Sequence, residues 1–223
     1  GSADISLGAT VQTVTGEKHG KKEFTTILVD KDTTGFTRRT MHGKMMWRAS
    51  DTAQLFFDDC RVPEENVLGQ VGEGSKIMLS TLDSGRLSIA AMGLGCAQGA
   101  YELALAYARE RKQFGQPISK FQAIAFKLAD MALKIELARN LLYKACWLKD
   151  THQPFAREAA MSKLYCSEIA REVADEAVQI FGGYGLMKDY DIERFYRDQR
   201  LLQIGEGTSE IQKIVISRSV LKD

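Results

Sequence analysis

Read only for apolar and polar positions, the chain changes texture once. Residues 5–14, ISLGATVQTV, and 24–30, FTTILVD, are rich in β-branched side chains and flank the polar, glycine-containing stretch TGEKHGKKE. That pattern predicts a β-hairpin. A further strand signal, TAQLFFDDCRVP, closes at Pro63, and the glycine-punctuated VLGQVGEG follows as a link. After about residue 73 no strand-like alternation returns. Long periodic segments over 74–112, 119–150 and 155–181 take over, then shorter ones near 192–204 and 209–222, with Pro117 and Pro154 at the breaks. In the second of these, Phe121, Ile124, Leu128, Met131, Ile135, Ala138, Leu142 and Ala145 recur at three- and four-residue steps and form one apolar stripe.

An apolar stripe on a long helix has to be buried against other helices. The predicted fold is therefore mostly α: an up-down four-helix bundle over 71–223 with an additional C-terminal helix, preceded over 1–70 by part of an antiparallel β-domain. A few strands ahead of a complete bundle would leave unpaired edges and a half-covered apolar face. The chain accordingly reads as the C-terminal part of something larger, with its missing strands removed or its sheet edge covered by a partner.

Composition narrows the function more than the fold. With 223 residues, 44% of them hydrophobic, there is enough chain for a real core. Thirty basic against twenty-nine acidic residues leave a formal charge of +1, which favours neither nucleic acid nor an anionic membrane surface as a partner. Cys60, Cys96, Cys146 and Cys166 lie far apart, mostly in apolar stretches and without a CxxC pair, as expected of reduced, buried thiols. No apolar run is expected to span a membrane and no metal-ligand spacing is present, so the expected location is the cytoplasm, or the mitochondrial matrix if a transit peptide precedes the chain.

Four stretches could carry chemistry. ARERKQFGQPISKFQ gathers Arg109, Arg111 and Lys112 at a helix end before Gly115 and Pro117. This is either dipole compensation or a phosphate clamp, and Phe114 beside it is either a core residue or an aromatic wall. VQIFGGYG ends the third helix; a glycine C-cap explains Gly182 well but Gly183 and Gly185 less well, and clustered glycines also let a phosphate or sugar approach the backbone. In TLDSGRLSIAAMG, Asp83 and Arg86 are three apart on an apolar helix, either an intrahelical ion pair or a polar contact for the distal end of a ligand. Finally, IGEGTSEIQ sets Glu206 between two glycines, just before a Ser209–Gln212 capping box that predicts the start of the last helix. A carboxylate there is often only a dipole partner. It becomes a useful base for a carbon acid if a planar cofactor covers it and excludes water.

RKQFGQPISKFQ, VQIFGGYG and IGEGTSEIQ, in this order and spacing, resemble the acyl-CoA dehydrogenase family, and LDSGR and LKDTHQPFAREAAMSKL look nearest to its short-chain, butyryl-type members. The resemblance runs over essentially the whole chain and implies that residues 1–70 are the latter half of the family's middle β-domain and 71–223 its whole C-terminal bundle. It implies an FAD-dependent α,β-dehydrogenation of a short-chain acyl-CoA thioester by a homodimer or homotetramer, with an electron-transfer flavoprotein as electron acceptor. By the same resemblance Glu206 is the base that removes the α-proton, its own backbone N–H is a donor to the thioester oxygen, and Gly207 lies beside it at the substrate. Arg111 and Phe114 match contacts to the FAD of a neighbouring subunit, and Gln122 matches the adenosine end. Gln179, Ile180, Phe181, Gly182 and Gly183 match the segment lining the cofactor across the dimer interface. Thr208, Ser209 and Glu210 match FAD contacts of the subunit that owns the base. Asp83, Ser84, Gly85 and Arg86 match the stretch that meets coenzyme A. Some family members carry the base on this earlier helix, where the present chain has Gly85.

Two other functions compete. One is a non-catalytic helical oligomerisation module that binds little flavin; the other is a flavin-dependent oxidase or monooxygenase of the same fold. A flavin spectrum of the purified chain separates the first from a dehydrogenase.

Overall fold

The computed structural model describes residues 2 and 4–222. Its contacts divide the chain into two compact units, Gly1–Thr81 and Leu82–Asp223.

In the first unit, β1 (Gly8–Lys18) and β2 (Lys21–Asp30) form the expected hairpin, but the strands run through most of TGEKHGKKE. The connection is only His19 and Gly20, both at positive φ (51° and 71°), the turn whose twist matches that of the flanking strands. A strand can be polar along its length when neither face is covered, and residues 15–22 are exposed, so the absence of apolar alternation there hid it. Strand β3 (Phe36–Thr40), not anticipated, pairs with β4 (Ala53–Phe57), which falls inside TAQLFFDDCRVP. Their opposed Phe36 and Phe57 rings stack 4.9 Å apart. Strand β5 (Val67–Leu68) pairs with β2 at only two positions, giving the order β1-β2-β5. Val14, Leu28, Leu55, Phe56 and Phe57 remain exposed, the half-covered apolar faces expected of a partial sheet.

The helices are α1 (Gly74–Glu110), α2 (Gln122–Asp150), α3 (Ala156–Phe181), α4 (Ile192–Asp198) and α5 (Ser209–Val220). The stripe read in α2 is the buried one: Leu128, Met131, Ile135, Ala138, Leu142 and Ala145 are its buried residues. The α1 contribution is narrow, with Ala90, Ala97, Ala100, Ala104 and Ala108 all fully buried, so the helices approach closely. α2 and α3 run antiparallel: Lys127 pairs with Glu176, Lys134 with Glu172 at 2.7 Å, and Ser162 Oγ donates to the Leu141 carbonyl. Lys134 is held above the usual lysine range, chiefly by its hydrogen bond to Glu172.

Several expectations need correction. Helix α2 starts at Gln122 and not Ser119, because a 3-10 turn (Ile118–Lys120) follows Pro117. The connection before it is a miniature hairpin, β6 (Lys112–Gln113) against β7 (Gln116–Pro117), turning at Phe114 and Gly115 (φ 51° and 80°). Residues 199–203 leave the α geometry for a 3-10 turn, so the fourth helix is short. Among the four free cysteines only Cys166 is buried; Cys60, Cys96 and Cys146 are half-buried. Contrary to the sequence reading, α1 is long and apolar enough to cross a bilayer by length and composition alone. Its alanine seam, together with Leu87 and Leu94, belongs to the bundle core.

Two glycines in α1 test this packing. A Cβ on Gly93 would lie 2.7 Å from the Cys166 carbonyl oxygen of α3, whereas one on Gly95 would meet nothing within 4 Å. Gly93→Ala should destabilise the chain by about 1–3 kcal/mol through overpacking, and Gly95→Ala should stabilise it by about 0.5–1 kcal/mol through helix propensity. Urea unfolding midpoints at unchanged slope report both; equal shifts would contradict the α1–α3 contact.

Candidate functional site

The structure gathers the predicted residues into two places within the helical unit. The first is a groove of about 620 Å³ lined by Tyr107, Arg111, Ile180, Phe181, Gly182 and Gly183, together with Gln113, Ile118, Tyr184 and Met187. Arg111 is exposed, one residue beyond the end of α1, and its guanidinium carbon sits 5.7 Å from the centre of the Tyr184 ring. Tyr107 stacks on Phe181 at 4.2 Å and fixes the apolar floor. Gly182 has φ 61° and ψ −139°, a conformation open to glycine but strained for other residues, and a Cβ at Gly182 or Gly183 would project into open space. The groove thus offers a cation, an aromatic edge and a bare stretch of backbone side by side. Phe114, 91% exposed at the tip of its hairpin, is not a core residue. Gln122 and Gln179 are exposed and do not line the groove.

The second place is the turn between the 3-10 segment and α5. Glu206 sits there with φ 54° and Gly207 with φ 93°, two consecutive left-handed residues. For a glutamate this conformation is uncommon and has to be held by its surroundings. The hold is visible. Gln212 is fully buried and donates to the carbonyl oxygens of Glu206 (3.2 Å) and Gly207 (2.9 Å), while Lys163, equally buried, donates to that of Gly207 at 2.6 Å. On either side, Glu168 of α3 accepts from Gln203 Nε2 and from Ser209 Oγ, both at 2.8 Å. Three side chains, Gln212, Lys163 and Glu168, therefore pin residues 203–209.

This network overturns the expected Ser209–Gln212 capping box. The N-cap is Thr208, whose hydroxyl oxygen accepts from the Ile211 N–H at 3.4 Å, and Ser209 is already helical. Ser209 bonds Glu168 of α3 and Gln212 bonds the carbonyls of the preceding turn, so neither side chain is left for the reciprocal box. Glu210 is exposed; its own backbone N–H, then the Thr208 hydroxyl, hold its carboxyl below the usual range.

Across from the turn lies α1. A Cβ on Gly85 would fall 2.7 Å from Glu206 Oε2 and 3.0 Å from its carboxyl carbon, so glycine there leaves the space that the carboxylate occupies. The Asp83–Arg86 ion pair forms at 2.5 Å, with Arg86 buried and its Nε without a hydrogen-bond partner; Ser84 is half-buried beside them. Chemically, the turn presents one exposed carboxylate on a backbone fixed from behind.

Sequence reasoning missed Lys163, Glu168 and Gln203. A signal for Lys163 was present: it falls in phase with Ala159, Cys166 and Ala170 on the buried face of α3, where a lysine needs a reason. Desolvation, partly offset by Glu168, lowers the Lys163 pKa to about 8 from an ordinary 10.5.

The description "Acyl-CoA dehydrogenase, C-terminal domain" matches residues 72–221. A probable acyl-CoA dehydrogenase of Bacillus subtilis is 54% identical over 222 residues, covering 99% of this chain and 58% of that protein. The solved structure of butyryl-CoA dehydrogenase from Megasphaera elsdenii superposes with a TM-score of 0.96 at 42% identity, over 99% of this chain and 58% of that one. A chain in the solved structure described as the electron transferring flavoprotein of Acidaminococcus fermentans is 45% identical with a TM-score of 0.96, over 100% of this chain and 58% of that one. The chain thus spans less than two thirds of the length of each.

The lowered Lys163 pKa sets a pH dependence of stability. Between about pH 8 and 10.5 the unfolded chain, with an ordinary lysine, binds more protons than the folded one. Lys163 therefore costs stability below pH 8, and the cost fades as pH rises towards 10.5. Burial raises the Cys96 thiol to about 11, with Asp198 adding to the effect, and desolvation raises Cys166 to about 12; both shifts act oppositely above pH 9. The Lys163 part is isolated by difference: relative to Lys163→Met, the parent should gain stability from pH 7 to 10 in urea titrations. A constant difference would contradict it.

Proposed function

This chain belongs to the acyl-CoA dehydrogenase family, and from that premise we propose that it supplies the base and part of the cofactor and substrate surface of an FAD-dependent enzyme that α,β-dehydrogenates a short-chain acyl-CoA. The observation that carries the reading is the Glu206 carboxylate lying over Gly85, on a turn whose backbone is held in two successive left-handed residues.

The residues present fit the cofactor. Arg111 beside the open backbone at Gly182 and Gly183 suits a diphosphate, because guanidinium pairs bidentately with phosphate oxygens and no Cβ obstructs the approach. The exposed Phe114 suits a flat ring or a second copy of the chain. Bound, FAD would accept the hydride that leaves the substrate β-carbon. Neither Glu206, Gly207 nor Gly85 lines the groove. That separation supports a reading in which Arg111, Phe114, Gln122 and residues 179–183 serve the cofactor of a neighbouring copy, while Thr208, Ser209 and Glu210 serve the cofactor over their own turn. Homodimer or homotetramer formation follows from it. Ser209 and Thr208 already use their hydroxyls within the chain, so their contribution is chiefly to fix the turn.

Glu206 then takes the α-proton of the thioester. Its own N–H, presented by the same turn, donates to the thioester oxygen as enolate charge develops. Glu206 is exposed here, so substrate and cofactor have to cover it before the carbon acid can react in a water-poor site. Asp83, Ser84, Gly85 and Arg86 line the approach for coenzyme A. The likeness to a chain in an electron transferring flavoprotein structure supports an electron-transfer flavoprotein as the acceptor of the reducing equivalents.

In an intact enzyme containing this chain, Glu206→Gln should retain flavin and acyl-CoA binding while losing about 10²- to 10⁴-fold in turnover, since the amide keeps the shape but cannot accept the proton. Arg111→Ala should lose flavin first, by about 2 kcal/mol or more of binding. Flavin absorbance and butyryl-CoA turnover separate the two; near-parental turnover of Glu206→Gln at matched flavin content would rule Glu206 out as the base.

A further inference from the structure

Lys163 has no exposed surface, and a fully buried ammonium is among the costlier groups a fold can contain. Nothing in its packing requires a charge. It lies on the core face of α3 between Ala159, Ala160 and Cys166, where a methionine of similar length would fill the same volume at less cost in desolvation. What the ammonium does that an apolar group could not is donate, at 2.6 Å, to the carbonyl of Gly207, 44 residues away in sequence. Gly207 follows Glu206, and both are left-handed, so the turn is a backbone arrangement that would relax if its carbonyls were released. Gln212 holds the same oxygen from α5 at 2.9 Å, so this carbonyl accepts from two buried donors, of which only Lys163 brings a charge.

We propose that Lys163 is a positioning residue for the base: its ammonium, bonded to the Gly207 carbonyl, holds the Gly205–Gly207 turn so that the Glu206 carboxylate stays seated over Gly85. The inference rests on Glu206 being the base. The charges that act on Lys163 come from every side of the turn: Glu168 on its own helix, Arg86 on α1, Glu206 in the turn and Glu210 on α5. Three of these are carboxylates, which keep the ammonium protonated at neutral pH despite its burial. As the ammonium loses its proton above about pH 8, a charge-assisted hydrogen bond becomes a weaker neutral one and the turn loosens.

The test uses Lys163→Met in the flavin-loaded intact enzyme with butyryl-CoA. Turnover should fall about 10- to 100-fold, the cost of a misplaced catalytic group, with KM within about threefold, flavin content unchanged and stability at pH 7 equal to or above that of the parent. The parent's turnover should decline on the alkaline side with a midpoint near pH 8, and the variant's profile should lack that limb. Parental turnover in a folded Lys163→Met, or an alkaline limb that survives the substitution, overturns the proposal. A second measurement needs no variant. With ¹³C-carbonyl glycine, the Gly207 signal of the unsubstituted protein should titrate with a midpoint near pH 8, and a flat signal from pH 7 to 10 overturns the proposal even if Lys163→Met fails to fold. The base assignment fails separately, through an active Glu206→Gln.

Discussion

The structure of the candidate site depends on α3 supplying hydrogen bonds to a turn that could not hold itself. A glutamate followed by a glycine, both at positive φ, has neither helix nor sheet to satisfy its carbonyls, and buried backbone oxygens left unpaired are costly. Lys163 supplies one donor, Gln212 of α5 supplies another, and Glu168 ties down the flanks through Gln203 and Ser209. The side chains of α3 therefore have two tasks. Its alanines, Cys166, Ile169 and Val173 close the core, and two charged residues on the same helix hold the turn.

Close packing is what makes that possible. Because α1 meets the bundle through alanines and through Gly93, its backbone can lie against that of α3, and the same helix can bring Gly85 under the carboxylate of Glu206. A larger residue at position 85 would displace the carboxylate. Site geometry and core geometry are thus set by the same small-residue surface of one helix, and a change in the spacing of α1 would be felt at both. The groove at the other end of α1 shows a similar economy: Tyr107, which stacks on Phe181 in the core, also forms the floor beneath Arg111.

Most of the helical architecture was legible in the sequence, because amphipathic period is a local signal that repeats along the chain and needs no knowledge of what lies opposite. The α2 stripe, the ends of α3 and the break at Pro154 were readable for that reason. The motifs around Arg111, Gly182 and Glu206 were readable too, since their spacing is written in contiguous residues. Elements whose signal is tertiary were not. β3 is too short and too polar to show alternation, the tips of β1 and β2 are polar on both faces, and Ser209 and Gln212 satisfy a capping pattern while bonding elsewhere.

By itself, then, the sequence determined that a partial sheet is followed along the chain by a helical bundle, that the charges are balanced, and that a carboxylate sits between glycines ahead of the last helix. Tertiary structure alone decided that the carboxylate faces Gly85, that Thr208 and not Ser209 caps α5, and that a lysine buried in α3 reaches a carbonyl 44 positions later. The physical reason is range. Periodicity and turn chemistry act over a few residues, whereas the partner of a buried polar group is chosen by which helix faces are brought together, and no local pattern encodes that choice.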